Sequence, residues 1–146
     1  MARVYLDSNV FFYAKIMDRA FGKSCSNVLR KVASGAMDAS TSALVAVEVA
    51  NALRKYGLAK EVTAEVRAIF SLGMEVFHLD ATDVREAAEI FAEGNIGPYD
   101  CAHAAIMRRN GVKEIISADK EFDKINWLKR LDPRSFDDRV PSTEAP

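Results

Sequence analysis

Short β-rich runs recur along the chain, and a stretch of helix length separates most of them. Residues 3–6 read as the first strand and residues 39–41 as a weak second one. Residues 75–79, 114–117 and 128–131 read as the others. Residues 21–34 read as a helix, because Val28, Leu29, Val32 and Ala33 fall at helical spacing while Lys23, Arg30 and Lys31 stay outside. Ser40, Thr41 and Ser42 offer N-caps to a helix over residues 43–56, which Gly57 closes. A helix over residues 60–72 stops at Gly73, and another, capped by Thr82 or Asp83, runs to Glu93. Pro98 opens one more at its first turn, where a missing N–H costs little, and Gly111 closes it. Residues 119–125 form a short helical piece. Antiparallel strands can be joined by a tight turn, but parallel strands need a crossover of roughly a dozen residues or more. Helix-length connections therefore predict an α/β chain with a parallel sheet flanked by helices.

The chain has 146 residues, which suits one domain with a real core. Residues 1–136 are expected to form it, and the polar tail over residues 137–146, with two prolines, is expected to be disordered. No apolar run approaches the roughly 20 residues of a membrane span. The start, MARVYLDSN, has an acid where a signal peptide needs its apolar stretch. A soluble, cytoplasmic protein is the expectation. Cys25 and Cys101 form no C-x-x-C pair, which argues against a zinc knuckle or a disulfide framework. A net charge of −1 argues against a general nucleic-acid coat, but not against an acidic site that holds a metal.

Four acids stand in places that need a reason. Asp7 interrupts two apolar runs in VYLDSNVFFY, where Ser8 and Asn9 read as a turn. Asp119 closely follows the strand EIIS. In an open parallel sheet, ligands bind in the crevice beyond the carboxyl ends of the strands, so both acids can face one pocket. Glu48 lies in ALVAVEVANAL on a largely apolar helix face, with no Lys or Arg within four residues. Asp100 lies in the first turn of the helix GPYDCAHAAIM, where the helix dipole alone would favour an acid. Asp7 and Asp119 also suit simple N-caps.

Together Asp7, Glu48, Asp100 and Asp119 predict a carboxylate cluster that repels itself unless a cation neutralises it. Oxygen ligands favour a hard ion, Mg²⁺ or Mn²⁺. Such an ion activates water and polarises a phosphoryl oxygen, the combination that cleaves phosphodiesters. On this reading Glu48 is a self-repelled acid, and Glu48→Gln should preserve or raise stability without metal. His103, three residues after Asp100, reads as a helix-packing residue, and His78 as structural. Tyr13 and Tyr99 are the aromatic candidates for stacking on RNA bases.

The sequence resembles the PIN domain family, and within it the single-domain, VapC-like toxins of toxin–antitoxin modules. The pieces that carry the resemblance are LDSNVFFY, VAVEVANAL, IGPYDCAHAAIMRRNGVKEIISAD and SADKEFDKI, spread over about residues 3–131. The resemblance implies a three-layer α/β/α sandwich on a short parallel sheet and a Mg²⁺- or Mn²⁺-dependent ribonuclease. It implies Asp7, Glu48, Asp100 and Asp119 as the acidic quartet around the metal. Asn9 would fix the first Asp or the site water, and Ser117 would support the site by hydrogen bonding. Glu121 stands where many members have a further Asp, so it would reach the site through water or face solvent. A homodimer and a cognate antitoxin whose peptide covers the site are also implied.

Readings from other classes fit less well, whereas one within the same class stays open. An RNA-processing nuclease that is not a toxin has the same motifs. A PIN-like domain that binds RNA or a partner without cutting would be favoured by loss of an acid, and all four are present. A phosphotransfer domain using Asp7 as nucleophile would want D-x-D, and Asn9 cannot serve as the general acid. The chain has neither G-x-x-x-x-G-K-[ST] nor G-x-G-x-x-G.

Overall fold

The computed structural model describes residues 2–137. The expected tail therefore lies, Asp137 apart, outside the described residues. The first strand, β1 (Val4–Leu6), is wholly buried. Helices α1 (Ser8–Ile16) and α2 (Gly22–Ala33) lead to β2 (Ala39–Ser42). Helix α3 (Ala43–Lys55), a 3-10 turn (Ala59–Glu61) and α4 (Val62–Phe70) lead to β3 (Glu75–Phe77). Helices α5 (Ala81–Gly94) and α6 (Pro98–Arg109) lead to β4 (Glu114–Ile116). A 3-10 segment (Lys120–Lys124) connects it to β5 (Lys129–Leu131), and a 3-10 turn (Pro133–Phe136) follows.

The five strands pair in the order β3-β2-β1-β4-β5, and every pairing is parallel. The chain steps from β1 to β2 to β3 in one direction, then crosses back to β4 on the other side of β1. Right-handed crossovers put α1–α4 on one face and α5–α6 on the other, which gives the three-layer sandwich. The reversal also opens a crevice where β1 and β4 end, the usual ligand position in such sheets. Asp7 follows β1 directly and Ser117 follows β4 directly.

The second strand shows why its signal was weak. Its sequence is ASTS, yet all four residues are buried. The hydroxyls of Ser40 and Thr41 donate to the carbonyls of Val4 and Leu6 at 2.9 Å each, so a polar strand is satisfied inside the sheet. Ser42 extends the strand and caps α3 by accepting from the Val45 N–H.

The structure differs from the expectations at three local points. Ser8 and Asn9 do not form a turn; they open α1, which Asp7 caps. The unbroken apolar run from Val10 to Tyr13 hides its helical period. Asp80, rather than Thr82 or Asp83, caps α5, in a capping box with Asp83. The helix expected over residues 60–72 is a 3-10 turn followed by the shorter α4. Helix α2 starts hard against α1: a Cβ on Gly22 would lie 2.6 Å from the Met17 carbonyl carbon, so only glycine fits. Among the described residues no helix is long and apolar enough to cross a membrane.

Candidate active site

Asp7 is 4% exposed and held by three donors. The Ser8 N–H donates to its Oδ1 at 2.8 Å, and Asn9 Nδ2 to its Oδ2 at 3.0 Å. Ser117 Oγ donates to the same Oδ2 at 2.6 Å. Asn9 also donates to Ser117 Oγ and accepts from the Ala118 N–H, so it ties the two strand ends together. Ser117 Oγ further accepts the Asp119 N–H at 3.0 Å. Asp119 in turn caps the following 3-10 segment, its Oδ1 accepting from the Glu121 N–H. Burial pushes the Asp7 carboxyl above its ordinary range, and nearby Glu48 adds to the rise; His103 and the hydrogen bonds from Ser117 and Ser8 work against them.

Glu48 projects from α3 toward the same place. Asp7, Glu48 and His103 each offer a ligand atom, and these atoms lie within 4.8 Å of one another. His103 Nε2 is 2.6 Å from Glu48 Oε1. Burial disfavours a charged imidazole, but the Glu48 hydrogen bond and the charges of Asp7, Glu48 and Asp100 outweigh it and raise His103 above its ordinary range. Asp100 completes the set from the first turn of α6. Its carboxyl is pushed up to about 7 by burial first, then by the negative charges of Asp119, Asp7 and Glu48.

In the structure Asp7, Asn9, Ser117 and Asp119 share one hydrogen-bonded network, Glu48 lies within 4.8 Å of Asp7 by a ligand atom, and Asp100 is within electrostatic reach of Asp7, Glu48 and Asp119. Glu121 is different. Its carboxylate is 45% exposed and pairs with Lys124 at 3.0 Å, and only its backbone N–H touches the network. His103 is the residue that sequence reasoning set aside. Its one signal was the i+3 spacing from Asp100; its pairing with Glu48 bridges 55 positions and leaves no local trace. Of the stacking candidates, Tyr13 is half-buried and stacks on Phe21, whereas Tyr99 is 64% exposed. Tyr99 lines a cleft of about 680 Å³ with Val47, Glu48, Asn51, Ala52 and Lys55.

Asp7 and Ser117 stand where the strand order reverses, and a family model covers that stretch of the chain. The PIN domain model matches residues 4–128. The chain belongs to the PIN domain family. Its fold is similar to that of Mycobacterium tuberculosis VapC20, a Sarcin-Ricin loop cleaving toxin, with a TM-score of 0.69 and 20% identity over 82% of this chain and 92% of that one. It is similar to VapBC2 of Rickettsia felis bound to a promoter DNA fragment, with a TM-score of 0.68, 18% identity, and coverage of 89% and 98%. It is also similar to DNA-bound VapBC of Salmonella typhimurium, with a TM-score of 0.67, 21% identity, and coverage of 91% and 99%. No curated protein matches the sequence.

Asp7 caps α1, Glu48 lies on α3, Asp100 on α6, and Asp119 caps the 3-10 segment after β4, so oxygen donors come from four elements. Asp7, Glu48, Asp100 and Asp119 fit a hard divalent cation by donor chemistry.

Proposed function

We propose that this PIN domain is a Mg²⁺- or Mn²⁺-dependent endoribonuclease, the toxin of a toxin–antitoxin module, acting in the cytoplasm as a single domain. Asp7, Glu48, Asp100 and Asp119 would hold the cation, with Asn9 and Ser117 supporting Asp7. The observation that supports the reading is the hydrogen-bonded network of Asp7, Asn9, Ser117 and Asp119 at the ends of β1 and β4, with a ligand atom of Glu48 within 4.8 Å of one on Asp7. When bound, the cation supplies positive charge, polarises a phosphoryl oxygen and activates water.

The chain's own residues have defined tasks in this reading. Three donors fix Asp7 before any substrate arrives, so its orientation costs nothing at the moment of reaction. Asp119 is fixed by the Glu121 N–H. Burial first, and then the charges of Asp119 and Asp7, raise the Asp100 carboxyl to about 7, so it can hold a proton near neutral pH. The cleft beside Glu48 suits a single-stranded RNA. Tyr99 offers an exposed ring to a base, and Lys55 offers an ammonium to a phosphate.

The toxin part rests on the similar structures, which include a Sarcin-Ricin loop cleaving toxin and a toxin-antitoxin complex. The likeness to a toxin-antitoxin complex supports a cognate antitoxin as the proposed partner, and a homodimer is proposed as the assembly. The test is cleavage of defined RNAs with Mg²⁺, with Mn²⁺ and with chelator, run beside Asp7→Asn. Cleavage should require the cation and vanish in the variant while the fold persists. Cleavage that survives chelator or Asp7→Asn would end the proposal. Growth arrest on expression, relieved by a co-expressed partner, separates a toxin from a processing nuclease.

A further inference from the structure

Glu48 has no basic residue near it in sequence, and its partner comes from another layer. His103 on α6 has no exposed surface and meets Glu48 Oε1 through Nε2 at 2.6 Å. Its other nitrogen, Nδ1, lies 2.8 Å from the Tyr5 hydroxyl. Tyr5 is equally buried, on the central strand, and its hydroxyl is 2.6 Å from Ser42 Oγ. Ser42 Oγ accepts the Val45 N–H and so caps the helix that carries Glu48. A closed chain of hydrogen bonds therefore runs from β1 through α6 to α3 and back through the end of β2.

We propose that His103, anchored by Tyr5, is a positioning residue for the metal-binding acid Glu48 and is not itself a ligand. The inference rests on the cation-dependent reading above. Asp7, Glu48 and His103 lie close enough to pass for a three-ligand set, but hydrogen-bond chemistry divides them. An ionised carboxylate only accepts, so the proton between Glu48 and His103 belongs to Nε2. A nitrogen that carries a proton has no lone pair for a cation. The Tyr5 hydroxyl occupies Nδ1, and the ring is sealed from solvent. His103 therefore fixes Oε1 of Glu48 and leaves the second carboxylate oxygen for the ion. Glu48 needs such a brace. It extends from a helix face with no side-chain donor of its own, whereas Asp7 has two side-chain donors beside it. Partners of this kind typically change metal affinity 10- to 100-fold, by order of magnitude.

Manganese binding followed by calorimetry and electron paramagnetic resonance tests the assignment. Wild type should bind Mn²⁺ without nitrogen hyperfine coupling from a histidine. His103→Leu should lower affinity about 10- to 100-fold. His103→Gln, whose side-chain amide can still donate to Glu48, should recover part of that loss. Tyr5→Phe keeps both rings but frees Nδ1, and should lower affinity by a smaller factor. Thermal unfolding in chelator identifies the variants that fold. Should His103→Leu fail to fold, Tyr5→Phe decides, and unchanged affinity there overturns the proposal. Nitrogen coupling to bound Mn²⁺ would make His103 a ligand and overturn it too. Equal affinity in the Leu and Gln variants would reduce His103 to packing. Wild type that binds no Mn²⁺ removes the cation-dependent reading and the brace together. Binding that is intact in every variant removes the brace alone.

Discussion

Ser117 Oγ donates to Asp7 Oδ2 across 2.6 Å, a bond that joins residues 110 positions apart at the ends of two adjacent strands. The hydroxyl has no exposed surface, and it also accepts from Asn9 and from the Asp119 N–H. One oxygen thus ties together the two strand-end acids.

Ser117→Ala should therefore cost more than an ordinary buried serine. The variant leaves a buried carboxylate short of one donor and two N–H groups short of an acceptor. Leaving such groups unsatisfied costs about 1–3 kcal/mol. Urea denaturation in chelator should show a loss in that range. Stability within experimental error of wild type would mean that water replaces the hydroxyl and that the bridge contributes nothing.

The metal-free protein should lose stability as pH rises toward neutrality. Asp100 titrates at about 7 in the folded chain against an ordinary 3.8, so the fold favours its protonated form. A carboxyl raised in this way contributes stability at low pH, and the contribution is lost between 3.8 and about 7. Asp7, also raised, acts in the same direction. His103 is raised by its acidic neighbours despite its burial, and its contribution likewise fades as pH climbs through its folded pKa. Melting temperatures measured in chelator across this window should fall with pH. The slope should be shallower in Asp100→Asn and in wild type with Mg²⁺ or Mn²⁺. A profile that is flat or rises in chelator would show that the acids are not crowded.

The fold was legible because its elements announce themselves locally. Gly35, Gly57 and Gly111 punctuate the helices at positive φ, and Pro98 sits at the start of α6. Their spacing alone required a parallel sheet. Helix α1 escaped because its apolar residues run without a break, and Ser8 and Asn9 looked like a turn. The acids were legible because a carboxylate is conspicuous in an apolar setting. Of what holds them, the resemblance implied support from Asn9 and Ser117, but the residues alone did not show it. Ser117 reaches Asp7 and His103 reaches Glu48 over long separations, and neither bond leaves a local pattern. Glu121 shows the converse: its position in the motif pointed to the site, but Lys124 lies one helical turn away and takes its carboxylate.

Glu48→Gln is where the structure reverses a sequence-based expectation. Read as a self-repelled acid, Glu48 should be replaceable by Gln at no cost to the metal-free protein. His103 changes the sign. The Glu48 hydrogen bond leads the influences that raise His103, whereas Glu48 is the last of those acting on Asp100. The lost attraction should therefore exceed the relieved repulsion. Gln still accepts from Nε2, but a neutral hydrogen bond replaces a charge-assisted one, a difference of about 1 kcal/mol. Denaturation in chelator at mildly acidic pH, where His103 is charged, should show that loss. A gain in stability would restore the original expectation and weaken the case for the brace.

Asp83 tests whether fold and site can be perturbed separately. Its carboxylate is 2% exposed and accepts from Arg109 at 2.7 and 2.9 Å, and Arg109 also donates to the His78 carbonyl. The same carboxylate accepts the Asp80 N–H in the capping box. This clamp joins the first turn of α5 to the last turn of α6, at the end of α6 away from Asp100. Burial alone would raise the Asp83 pKa, but the Arg109 and Asp80 hydrogen bonds outweigh it and hold the carboxyl below its ordinary 3.8. Its contribution is thus present above 3.8 and lost as acid carries the pH through the lower folded value. Asp83→Ala strands an arginine and removes half of a capping box, at a cost of about 2–4 kcal/mol. Urea denaturation should show the loss, while Mn²⁺ affinity of the folded variant should match wild type, since α5 carries none of the four acids. A drop in Mn²⁺ affinity beside the lost stability would instead mean that the α5–α6 clamp sets the position of Asp100 and His103 from the far end of their helix.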